Sequence, residues 1–130
     1  MKNILLSLAI LALFVPTALA QAPNLASGAS LVSNTSKPLT PQEIAVKVAK
    51  EHGLNVDHFL AVVSCESNWN PQAVGDNGTS FGLAQLHNPE TDWGLTVKQA
   101  EDPETALETM ATAWQNNQYQ RWSCWNQLYG

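Results

Sequence analysis

The chain has 130 residues, with six Lys and Arg against eleven Asp and Glu, a formal net charge of −5 and 45% apolar residues. That acidic balance excludes a protein that grips nucleic acid, whose phosphates demand a basic face, and equally one that docks on an anionic membrane surface. It suits action on an uncharged or mixed-charge polymer, for which five Trp and two Tyr offer the stacking surface that sugar rings prefer.

Met1-Lys2-Asn3 is a short basic start, Ile4 to Val15 an apolar run and Ala18-Leu19-Ala20 a small-residue cleavage site, which together read as a secretory signal peptide over 1–20. Ile4 to Ala20 spans only 17 residues and is broken by Pro16, against the ~20 apolar residues a spanning helix needs. The mature chain is expected to begin at Gln21, to carry a charge of −6 once Lys2 is removed, and to act outside the cytoplasm, secreted or in the periplasm or cell wall, with no membrane segment left. Residues 21–39, rich in Ser, Ala, Asn, Pro and Gly and without either hydrophobic period, read as a flexible linker. Residues 40–130 then form one small, mainly helical domain, expected to be a monomer.

That domain opens on Thr40-Pro41-Gln42-Glu43, a capping box with Pro at the first helical position. Ile44, Val48 and His52 follow on one face and Gly53 closes the helix. A second helix runs from about Val56 to Ser67. On it Phe59, Val62, Val63 and Glu66 stand at i, i+3, i+4 and i+7, so a carboxylate shares a stripe with core residues. Pro71 pushes Asn70 out of the helical region, which places Glu66 in the last turns, beside the negative end of the helix dipole. Desolvation and dipole both favour its protonated form, and a carboxylic acid kept protonated near neutrality is what general-acid cleavage of a glycosidic bond requires.

Gly75-Asp76-Asn77-Gly78-Thr79-Ser80-Phe81-Gly82-Leu83-Ala84-Gln85 follows, glycine-rich at its start, with a turn at Asn77-Gly78 and glycines that let a ligand approach the backbone. A cleft is expected here. No convincing strand alternation appears in the chain. A third long helix starts at Asp102-Pro103, with Leu107, Met110, Trp114 and Asn117 as its buried stripe. Trp93, Trp114, Trp122 and Trp125 read as core, whereas Trp69 either stacks on a sugar or wedges beneath the loop that follows Glu66.

Cys65 and Cys124, 59 residues apart, are the two cysteines, and in a secreted chain an even count reads as a disulfide. Closing so long a loop contributes about 4 kcal/mol in the chain-entropy account, and it clamps the Glu66 helix to Trp122-Ser123-Cys124-Trp125. The alternative of a Cys65 nucleophile served by a histidine is disfavoured by the oxidising compartment. His52, His58 and His87 lie at no metal-ligand spacing, so no metal site is expected.

Glu66-Ser67-Asn68-Trp69-Asn70-Pro71-Gln72-Ala73 resembles the E-S-x-aromatic-N-P-x-A opening of the soluble lytic transglycosylase catalytic domain, and Gly82-Leu83-Ala84-Gln85 resembles its G-L-x-Q segment, both within the lysozyme-like superfamily. Cys65-Glu66-Ser67 with Trp122-Ser123-Cys124 further resembles the resuscitation-promoting-factor branch. The resemblance covers about Thr40 to Leu128. It implies a small lysozyme-like domain whose cleft holds peptidoglycan glycan strands, no cofactor, Glu66 as catalytic acid, Gln85 and Gly82 lining the cleft, and Asn70 setting the turn after the catalytic helix. Two departures stand out: the ninth residue after the Glu, a Ser that steadies the sugar's acetamido group in the family, is Gly75 here, and the family's A-Y-N-A-G stretch has no counterpart after Met110.

On this reading Glu66 protonates the oxygen between N-acetylmuramic acid and N-acetylglucosamine and then turns base. Deprotonating the sugar's own 6-hydroxyl gives a 1,6-anhydro product and a lytic transglycosylase; activating water gives a muramidase. Asp76 is the candidate second carboxylate for the latter, against the ordinary turn role of an Asp in Gly-Asp-Asn-Gly. Asp92, Glu101, Asp102 and Glu104 read as exposed loop and cap charges. A wall-binding module without activity and a secreted protein of unrelated function are the rivals, and a charge retained on a buried stripe argues against both.

Overall fold

The structure, a computed structural model, describes residues 36–130. The expected signal peptide and most of the expected linker lie outside the described residues. The fold is mainly helical, as expected. Helix α1 (Pro41–Glu51) starts where its capping box dictates: Thr40 Oγ1 accepts from the N–H of Glu43, and the Glu43 carboxylate accepts from the N–H of Thr40. Gly53, at φ +65°, turns the chain after it. Helix α2 (Val56–Ser67) is capped by Asn55, whose Oδ1 accepts from His58 N–H, and ends at Asn68 in the left-handed region.

The segment between α2 and the later helices folds into a three-stranded antiparallel sheet of two-residue strands, β1 (Val74–Gly75), β2 (Ser80–Phe81) and β3 (Leu86–His87), in the order β1-β2-β3. Strands this short cannot display an alternation, which is why the sequence shows none. Asp76 and Asn77, both at positive φ, make the turn from β1 to β2 with Gly78. The register pairs Gly75 with Ser80 and Ser80 with His87, so these three residues form one row across the sheet.

A π-helical turn (Pro89–Trp93) and the short α3 (Val97–Ala100) lead to α4 (Pro103–Gln115), capped by Asp102. Leu107, Met110 and Trp114 are its buried stripe, as expected. Asn117 is a correction: α4 stops at Gln115, and Asn117 is an exposed turn residue at φ 57°. A 3₁₀ turn (Tyr119–Arg121) precedes α5 (Ser123–Tyr129), which no sequence signal announced. Helices α1 and α2 pack on each other, α1 also packs on α4, and α2 on α5. Phe59, Val62 and Val63 from α2 meet Leu83 from the loop, Leu86 from β3 and Met110 and Trp114 from α4 in one core.

Of the four tryptophans expected in the core, Trp114 and Trp122 are buried, while Trp93 and Trp125 are partly buried and packed against it. Cys65 and Cys124 are joined, with Cα atoms 6.0 Å apart, so α2 and α5 are linked covalently as well as by packing. No helix among the described residues is long and apolar enough to cross a membrane.

Candidate active site

Glu66 is held between the core and a cleft. One turn of helix behind it, Val62 and Val63 are fully buried, and its own side chain faces a hollow of about 300 Å³ lined also by Asp76, Ser80, Gln85, His87, Asp92, Arg121, Trp122 and Ser123. Burial is the main influence on its carboxyl, pushing the pKa above the ordinary 4.5. The nearby Asp76 charge pushes the same way, while hydrogen bonds from Cys124 N–H and the Ser123 side chain hold it back.

The Cys124 contact has a structural cause. Helix α5 has Trp122 at its N-cap, a residue with no acceptor in its side chain, and Glu66 Oε1 supplies the missing one by accepting from Cys124 N–H at 3.0 Å. The same Trp122 donates its indole N–H to the carbonyl of Ala84 at 2.7 Å, in the buried base of the cleft. The disulfide, the cap and this indole bond together fix the start of α5 against α2 and the Gly82-Leu83-Ala84-Gln85 loop.

Gln85 forms part of the opposite wall. Its backbone is left-handed, at φ 44°, and its Nε2 donates to the carbonyls of Ala73 at 3.1 Å and Gly82 at 3.0 Å. Its Oε1 lies where a side chain at position 75 would begin: a Cβ on Gly75 would sit 2.2 Å from it. Glycine at position 75 is thus explained by the space Gln85 needs.

The row Gly75, Ser80, His87 brings up the rest of that wall. Ser80, 1% exposed, donates to Asp76 Oδ2 at 2.5 Å and lies 3.2 Å from His87 Nδ1, which is 3.8 Å from the same Asp76 oxygen. Asp76 is therefore tethered at the cleft by a buried hydroxyl, in addition to serving the turn.

Gly82, Trp69 and Asn70 do not line the cleft. Gly82 is buried at φ +78° against the backbone of Ala100, where a Cβ would come within 1.9 Å of the carbonyl oxygen, so its glycine is required for packing. Trp69, at φ 62°, packs against the core, and Asn70 accepts from Gln72 N–H at 3.0 Å and sets the turn after α2. Conversely, Asp92, expected as a loop charge, lines the cleft, as do Ser80, His87 and Arg121. The first three are brought in by strand register and the π-helical turn, which leave no mark on the sequence pattern. Trp122 and Ser123 could have been found from the cysteine pairing, since they adjoin Cys124. A hollow of about 350 Å³ between α4 and Trp93 has Glu108 as its one ionisable lining residue, whereas the cleft gathers four besides Glu66.

Residues 43–129 match the family described as the Transglycosylase SLT domain. The chain belongs to this family. SLT domains cleave peptidoglycan in the manner of lytic transglycosylases, act on the cell wall and take its glycan as substrate; the match is to this domain and does not extend to the resuscitation-promoting-factor branch. No individual curated protein and no solved structure matched the chain.

Proposed function

We propose that this SLT domain cleaves the β-1,4 bond between N-acetylmuramic acid and N-acetylglucosamine with Glu66 as its single acid and base, working as a monomer outside the cytoplasm after removal of residues 1–20. One observation carries this reading: Glu66 is desolvated by the α2 core yet opens into a polar cleft, so its carboxyl keeps its proton to a higher pH than a free glutamate does. The proton passes to the glycosidic oxygen, the C–O bond to the leaving sugar breaks, and positive charge develops on the sugar ring. The ionised Glu66 then takes a proton from the 6-hydroxyl of the same sugar, whose oxygen closes on the anomeric carbon to give the 1,6-anhydro end.

Within the site, Gln85 supports this role by fixing the wall opposite Glu66, and Cys65 with Cys124 by bracing the helix that carries it. Asn70 and Gly82 act indirectly, through the turn and the packing described above, and Trp69 supports the loop as a wedge.

A second outcome is favoured by one feature. Asp76 is tethered by Ser80 in the same cleft, and a water held by it would make the enzyme a muramidase with a reducing-end product. Mass spectrometry of the muropeptides released from purified walls decides: a 1,6-anhydro end supports the transglycosylase, a reducing end the muramidase. If Asp76→Asn leaves both rate and product unchanged, the aspartate has no part in the chemistry.

A further inference from the structure

Arg121 is the only arginine in the chain and the only Lys or Arg on the cleft wall, where it stands among three carboxylates, Glu66, Asp76 and Asp92. The ion pairs of the described residues join Lys47 to Glu104, His52 to Glu108 and His87 to Asp76, and none takes Arg121. Its position is nonetheless fixed. The guanidinium carbon lies 4.0 Å from the Trp93 ring centroid, and Nη1 makes a long, 3.5 Å hydrogen bond to Gln118 Oε1. Stacking uses the face of the guanidinium and leaves its edge, with most of its five N–H donors, without a protein partner among the described residues on the wall of the cleft. A flat, pre-set fork of donors is suited to a carboxylate, which it takes in a bidentate pair.

The sugar rings of a peptidoglycan strand carry no charge; its anions are the carboxylates of the peptide stems attached to the lactyl groups. Along much of this cleft such a group would face Asp76 or Asp92 and be repelled, and of the positively charged or chargeable groups on the wall His87 is already turned to Asp76.

We propose that Arg121, set by Trp93, is a binding site for a stem-peptide carboxylate, so that the cleft selects strands whose stems are anionic and orients them by that contact. The inference rests on the reading of the cleft as a glycan site and adds a determinant that the cleavage chemistry does not need.

The test is calorimetric binding on the Glu66→Gln background, which removes turnover. Two ligands are compared: a muropeptide oligosaccharide with free stem carboxylates, and the same oligosaccharide with those carboxylates converted to methylamides. With Arg121 in place the carboxylate form is expected to bind about tenfold tighter, a gap that narrows as salt rises. R121Q should bring the ratio close to one, and R121K, which keeps the charge without the flat fork, should fall between. Arg121 is exposed, so neither variant disturbs the core. Equal binding of the two ligands with Arg121 present, or an undiminished ratio in R121Q, overturns the inference while leaving the glycan site standing. Failure to bind either ligand overturns the glycan site and the inference with it.

Discussion

Glu66 Oε1 accepts a hydrogen bond from the backbone N–H of Cys124, whose side chain is bonded to Cys65, the residue that precedes Glu66. One acid thus serves as the cap of α5, and the helix it caps is bonded through sulfur to the helix that carries it. The two restraints act on the same few atoms, so the position of the carboxylate depends on both.

Replacing Cys65 and Cys124 together by Ser opens a loop of 59 residues and should cost about 2 to 4 kcal/mol of stability, read by urea melting with and without reductant. The loss should be accompanied by a fall in wall-clearing rate at temperatures where the variant is still folded, because α5 and its N–H then drift from Glu66. Unchanged clearing by the folded variant would show that the cap alone positions the acid.

Glu66 carries a stability cost that follows from its raised pKa. The folded protein holds this proton more tightly than the unfolded chain, so the stability is full below the unfolded value of 4.5 and is lost as pH rises through the folded value. Glu66→Gln keeps an acceptor for Cys124 N–H and removes the charge. Its melting temperature should match that of the natural protein near pH 4 and exceed it at pH 7; equal melting at both pH values would mean that the carboxyl is not desolvated.

Two glycines seven residues apart should respond in opposite ways. Gly82→Ala sets a Cβ against the Ala100 carbonyl at a φ of +78° and should cost about 2 to 4 kcal/mol in denaturant melting, with no way to relax except by moving backbone. Gly75→Ala clashes only with the Gln85 amide, the far end of a flexible side chain. Its stability should change by less than about 1 kcal/mol, while kcat/KM on purified walls falls about tenfold as Gln85 leaves its place. A Gly75→Ala protein with full activity would remove Gln85 from the set of positioning residues.

His52 Nε2 lies 2.6 Å from Glu108 Oε2, joining the end of α1 to α4, and this bond raises the histidine pKa above 6.5 against the opposing pull of burial. The pair's stabilisation is complete below the unfolded value of 6.5 and disappears as pH rises through the higher folded value. Thermal melts should therefore show a decline in this window that Glu108→Gln abolishes.

The parts of the fold that were legible in the sequence are those set by local chemistry. The Thr40 and Asp102 caps with their prolines announced α1 and α4, and the stripe Phe59, Val62, Val63, Glu66 gave α2 and its acid at once. Helix α5 was hidden for a physical reason: the acceptor that caps it belongs to Glu66, 58 residues earlier, and Trp122 gives no sign of it. Strands of two residues hide their period, and with it the row that brings Ser80 and His87 to the cleft. Gly82 reads as a cleft residue in the sequence because glycine serves close approach to a ligand and to a backbone alike, and only the contact with Ala100 tells the two apart. Arg121 depends on a 3₁₀ turn and a tryptophan 28 positions away, a pairing no periodicity reveals.

The central claim is that the desolvated carboxyl of Glu66 donates the proton that cleaves the glycan, and the pH dependence of kcat/KM on purified peptidoglycan tests it most directly. The natural protein should lose activity on the alkaline side at a pH above 4.5, where the folded carboxyl ionises, and Glu66→Gln should fall by at least about a hundredfold and lack that limb. A Glu66→Gln protein that clears walls at the natural rate, with the same alkaline limb, would contradict the account.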